Sequence, residues 1–419
     1  MIDPCRLGAR EAARRIARRE LTAEALLRSC LERIAAREAE VRAWAFLRED
    51  VAPSQAGWAH GPLHGIPIGV KDIFDTCDMP TEYGSRIYAG HRPRSDSAPV
   101  ALTRRAGGVI LGKTVTAEFA TFVPGKTRNP HDLSRTPGGS SSGSAAAVAD
   151  HMVPLAFGTQ TAGSVIRPGS YCGVVAYKPT YNMLPRAGVK PNADSLDTVG
   201  VYARSVEDVA FFVSALTGRS DLGATIDRPR IGMCRTWEWE RAQPEMAAAF
   251  ETAAKRLDAP EARLPEAFKG LRAAHACILS FEGARCLADE YRRFPELLDP
   301  RLHKRCKDGY ATEWRDYAAA RQLASRSRCM LDEVFGDYDV LLAPAATGEA
   351  PLGLSSTGDV TMNVVWTLLH VPCVSVPAAK SPNDMPLGLQ VIGRIGDDAR
   401  TLACAEWIHS RLEEEKARS

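Results

Sequence analysis

Between Thr22 and Ile34 the apolar side chains fall at Leu26, Leu27, Cys30, Leu31 and Ile34. That three-to-four spacing marks one face of a helix, with Thr22 as its N-cap. A helical N-terminal stretch is therefore predicted over about 1–60, ended by the cluster Gly61-Pro62-Leu63-His64. From 61 to about 216 the pattern changes to short apolar runs between Gly/Ser-rich loops. Val109-Ile110-Leu111 and Gly173 to Tyr177 read as strands, and Ala145 to Ala149 as a helix. Residues of about 237–335, rich in Ala, Arg, Glu and Leu and poor in glycine, predict several helices. Strand texture returns over about 336–419, in Asp339 to Pro344, Val371 to Pro377 and Leu387 to Gly393. The helical block thus reads as an insertion into one sheet, and the chain as a single α/β domain spanning 1–419.

Composition narrows the function classes. Basic and acidic residues number 53 and 51, a formal charge of +2, so the overall balance points to neither nucleic acid nor an anionic membrane as partner. The eleven cysteines form no C-x-x-C pair, which argues against a disulfide framework or a zinc site and for reduced, buried thiols. No apolar run reaches membrane-spanning length and no signal-peptide pattern opens the chain, so a cytoplasmic location is expected.

Two loops carry the candidate chemistry. Gly138-Gly139-Ser140-Ser141-Ser142-Gly143-Ser144 precedes an alanine-rich helix, placing hydroxyls and backbone N–H groups at a positive helix end. In the second loop, Gln160-Thr161-Ala162-Gly163-Ser164, small residues let successive N–H groups converge beside a nucleophilic serine. A serine needs a base, and neither loop contains a histidine. Lys71 ends the apolar run Ile66-Pro67-Ile68-Gly69-Val70, which carries its amine into low-dielectric surroundings that favour the neutral form.

With these motifs the chain resembles the amidase signature family of serine hydrolases over nearly its whole length. Only the helical block lacks a counterpart. The resemblance implies a three-layer α/β/α fold with a central mixed sheet, no metal or organic cofactor, a small-molecule amide substrate and a homodimer. It also implies a Ser-cisSer-Lys triad: Ser164 attacks the amide carbonyl, Ser140 after a cis Gly139-Ser140 bond relays the proton, and Lys71 is the base. Thr161, Ala162, Gly163 and Ser164 then form the oxyanion hole. Where many members read Asp-Thr-Gly-Gly-Ser followed by Ile-Arg, this chain has Gln160-Thr161-Ala162-Gly163-Ser164 and then Val165-Ile166-Arg167. That spacing is similar to bacterial malonamidases and implies that Arg167 grips a substrate carboxylate, with Gln160 and Ser141 as further substrate contacts. The expected reaction is hydrolysis of a small primary amide bearing a carboxylate. The alternative within the family is the glutamine-hydrolysing subunit of a tRNA-dependent amidotransferase.

Two other patterns compete. Gly107 to Thr114 satisfies the P-loop consensus of nucleotide triphosphatases, yet Val109-Ile110-Leu111 within it reads as a buried strand. Gly139-Ser140-Ser141-Ser142-Gly143 fits the nucleophile elbow of α/β-hydrolases, but a loop, not a strand, precedes it. Both are taken as accidental.

Overall fold

The computed structural model describes residues 3–48 and 61–416, so residues 49–60 of the predicted N-terminal helical stretch lie outside the described residues. Eleven strands form one mixed sheet: β1 Trp44–Leu47, β2 Pro67–Lys71, β3 Val109–Thr114, β4 Leu155–Gln160, β5 Val175–Lys178, β6 Thr198–Ala203, β7 Ile231–Cys234, β8 Glu261–Ala262, β9 Val340–Pro344, β10 Cys373–Lys380 and β11 Pro386–Ile392. Their spatial order is β1-β3-β2-β4-β6-β5-β10-β11-β9-β7-β8. β2 runs parallel to both β3 and β4, while β4 pairs antiparallel with β6.

The central strands are buried along their whole length, which explains why they read as unbroken apolar runs. Their period-two alternation divides the side chains between two cores. On one face Leu155 and Phe157 of β4 and Val199 and Val201 of β6 pack with Val209, Phe212 and Val213 of the helix Val206–Thr217. On the other face Ala156 and Tyr202 meet Leu27, Ile34 and Ala145 to Val148. Helices cover both sides, the expected three-layer arrangement.

Thr22 caps the helix Ala23–Val41, its hydroxyl accepting from the Ala25 amide at 3.1 Å, and Leu26, Leu27, Cys30 and Ile34 are buried. The N-terminal stretch is not purely helical, because β1 closes one sheet edge by pairing with β3. Likewise the block of 237–335 contains four long helices, Pro244–Arg256, Leu271–Cys286, Pro300–Ala311 and Trp314–Cys329, but also β8 at the opposite edge. Both edge strands are short, four and two residues, and each exists because a neighbouring strand offers unpaired backbone groups. All eleven cysteines are unpaired and most are buried. Among the described residues no helix is long and apolar enough to cross a membrane.

Candidate active site

Lys71 is the last residue of β2, and the parallel register sets Val70 opposite Phe157 of β4, so the lysine and Thr159 sit at the same end of adjacent strands. Ser140 enters from the loop before the helix Ser142–Ala149, through a cis Gly139-Ser140 bond. The Lys71 Nζ lies 2.8 Å from Ser140 Oγ and 2.9 Å from Thr159 Oγ1, and all three residues are buried. Burial holds the Lys71 amine well below the ordinary lysine value, opposed only by the charge of Asp197. A lysine whose hydrogen-bond partners are hydroxyls, with no carboxylate among them, can exist as the neutral amine and accept a proton.

Lys113 provides the contrast. It is equally buried, but its Nζ is 3.0 Å from the Asp72 carboxylate and 2.5 Å from Thr81 Oγ1. The paired carboxylate favours the ammonium form. Lys113 and Thr114 belong to β3 rather than to a phosphate-cradling loop, so the P-loop pattern is only a strand with a buried ion pair.

The loop from Thr161 to Ser164 joins β4 to the helix Ile166–Cys172, and its carbonyls are pinned one after another. His275 Nε2 donates to Thr161 O at 2.9 Å, Thr367 Oγ1 to Ala162 O at 2.6 Å, the Arg167 amide to Gly163 O at 3.0 Å and the Tyr202 hydroxyl to Ser164 O at 3.1 Å. With the carbonyls held in this way, the amides of Thr161, Ala162, Gly163 and Ser164 have no acceptor among the described residues. Successive N–H groups without partners beside a serine are what a developing oxyanion requires. Gly163 fits closely here, since a Cβ would lie 2.4 Å from Asn363 Oδ1 and displace that side chain.

A family model described as Amidase matches residues 25–402. The chain belongs to the amidase family. A glutamyl-tRNA(Gln) amidotransferase subunit from Acidothermus cellulolyticus is 34% identical to it, covering 96% of this chain and 93% of that protein. A crystal structure of an amidase superposes with a TM-score of 0.88 at 30% identity, covering 97% of this chain and 100% of the other. The corresponding glutamyl-tRNA(Gln) amidotransferase subunit from Thermotoga maritima gives a TM-score of 0.82 at 29% identity, with 96% and 94% covered. The chain is an enzyme of the carbon–nitrogen hydrolase class.

The three residues expected to touch substrate are all buried in this amidase. The Gln160 side chain is buried: its Oε1 accepts from the amides of Val165 at 2.9 Å and Ile166 at 3.0 Å, and its Nε2 donates to Thr367 Oγ1 at 2.9 Å. Gln160 braces the loop, because two helix-start amides would otherwise be unpaired. Ser141 Oγ, also buried, lies 3.2 Å from the Thr159 amide and 3.3 Å from its carbonyl oxygen, which leaves it neither exposed as an elbow nucleophile nor open to substrate. Gly158 permits this docking, since a Cβ there would approach Ser141 Oγ to 2.9 Å. Arg167 is fully buried, with Nη2 donating to Gly139 O at 2.6 Å and to Thr357 Oγ1 at 3.3 Å. Its Nε and Nη1 have no partner among the described residues.

Motif reasoning does not find Thr159, His275, Tyr202, Thr367 or Asn363. Of these, Thr159 alone carries a signal, its place directly before Gln160. The others lie far along the chain with no motif around them, and only folding brings them to the loop.

Proposed function

We propose that this amidase cleaves the C–N bond of a small primary amide bearing a carboxylate, through an acyl-Ser164 intermediate. The observation that carries the chemistry is the buried contact of Lys71 Nζ with Ser140 Oγ at 2.8 Å. The neutral amine takes the Ser140 proton as Ser140 takes that of Ser164, and Ser164 Oγ bonds to the amide carbon. The oxyanion is received by the amides of the run Thr161, Ala162, Gly163 and Ser164. Lys71 returns its proton through Ser140 to the nitrogen, ammonia leaves, and water attacks the acyl-serine by the same relay to release the acid.

Two observations bear on the acyl half. Similarity to glutamyl-tRNA(Gln) amidotransferase proteins favours glutamine as the amide, with the chain as the glutamine-hydrolysing member of a complex. The Arg167 spacing, similar to malonamidases, favours a free short amide acid. Both substrates present a carboxylate to Arg167, whose unpartnered Nε and Nη1 a carboxylate would satisfy. Because the guanidinium is sealed from solvent, such binding requires the packing around it to give way. Ammonia release by the purified chain from glutamine, asparagine, malonamate, carboxylated ureas and aryl amides separates the readings. Turnover of malonamate or a urea supports the free amidase, turnover of glutamine supports the amidotransferase role, and turnover confined to aryl amides sinks the carboxylate requirement.

A further inference from the structure

Beside the proposed site lies a cavity of about 180 Å³, bordered by Thr159, Thr161, Asn192, Lys190 and Asp197, with Arg186 and Asp194 also on its wall. Asp197 is its buried carboxylate. One oxygen accepts the Thr161 hydroxyl at 2.5 Å, and the other accepts the amides of Asn192 at 2.8 Å and Ala193 at 3.0 Å. Nothing in the proposed proton relay uses this group, yet a carboxylate out of water is costly unless it does something for the fold or the site. A neutral hydroxyl at this position would accept fewer donors without that cost.

Its placement suggests two effects. Thr161 is the first residue of the loop that ends in Ser164, so the short hydrogen bond fixes the loop at its point of departure from β4. The cavity also touches Thr159, whose hydroxyl contacts Lys71 Nζ on its other side. Asp197 is therefore the negative charge nearest in effect to the base, and Lys71 hydrogen-bonds no carboxylate of its own.

We infer that Asp197 is a positioning residue for this active site: it holds Thr161, and hence the oxyanion loop, by a hydrogen bond, and it shares a cavity wall with Thr159, the hydroxyl partner of Lys71. The inference rests on the acyl-Ser164 reading. Other charges face the same carboxylate: Arg186, Lys190 and Asp194 on the cavity wall, Arg305 through Asn192, and Lys71 itself. Burial lowers the Lys71 pKa and Asp197 raises it again, so removing the charge makes the amine easier to deprotonate.

The test is the pH dependence of Ser164 labelling by a serine-directed fluorophosphonate, which needs no knowledge of the substrate. In the native protein the labelling rate rises with pH as Lys71 loses its proton. In Asp197→Asn the midpoint of that rise moves to lower pH, and the plateau falls roughly tenfold or more because the loop is loosened. Thr161→Val removes the hydrogen bond but keeps the charge, so its plateau falls while its midpoint stays; it also serves if Asp197→Asn does not fold. A midpoint unmoved in Asp197→Asn, or a plateau unchanged in Thr161→Val, overturns the inference. Labelling that survives Ser164→Ala overturns the acyl-enzyme reading itself, which distinguishes the two failures.

Discussion

Lys71 Nζ and Ser140 Oγ stand 2.8 Å apart where no solvent reaches either group. That relationship joins a stability cost to a chemical capacity. In the unfolded chain the lysine keeps its proton below about 10.5, whereas in the folded protein burial holds its pKa well under that value. Folding at neutral pH must therefore give up a proton or bury a charge, and either is unfavourable.

Replacing Lys71 by Met should accordingly raise the melting temperature at pH 7 while lowering turnover and Ser164 labelling by on the order of 10³-fold or more. The sign follows from linkage: a lowered lysine pKa costs stability below 10.5, and the cost shrinks as pH rises to that value. The gap in melting temperature between the variant and the native protein should thus close toward pH 10.5. A variant less stable than the native protein at pH 7 would contradict a buried neutral amine.

Arg167→Ala should raise the Michaelis constant for carboxylated amides by roughly tenfold to a hundredfold, and that for neutral amides far less. Some loss of kcat on both is expected, since Nη2 also holds Gly139 O beside the relay serine. Steady-state kinetics on a matched acid and neutral amide decide the matter. Equal changes on both would leave Arg167 as a brace alone.

Three histidines, His151, His275 and His370, are pushed down to about 4 by burial. Each is uncharged in the folded protein while its unfolded counterpart takes up a proton near 6.5. Their contribution is fully present above about pH 6.5 and is lost as pH falls from there to about 4. His275→Gln keeps a donor for Thr161 O and removes one titration. Melting temperatures from pH 8 to pH 4 should fall less steeply in the variant; parallel curves would refute the assignment for His275.

Much of the framework was legible because local physics wrote it into the chain. Ile66 to Val70 is apolar throughout because β2 is buried on both faces, and Thr22 stands where a helix start needs an acceptor. The same logic failed at the edges: β1 and β8 are short, and their pairing depends on β3 and β7 being next to them. It failed again at Gln160 and Ser141, whose polarity invited a substrate role. Residue type cannot say whether an amide or hydroxyl faces a ligand or the chain's own backbone.

By itself the sequence determined the α/β class, the two Gly/Ser loops, the identity of a lysine carried on an apolar strand, and membership of a family built on those motifs. Only the tertiary structure decided which buried lysine bonds hydroxyls alone, which carbonyls are pinned beside the unpaired amides of Thr161 to Ser164, and that Asp197 and His275 converge on Thr161. Those are contacts between residues 36 and 114 positions apart. Such contacts leave no periodic trace in the chain, because hydrogen bonds and burial are set by proximity in space, whereas strands and helices are set by spacing along the backbone.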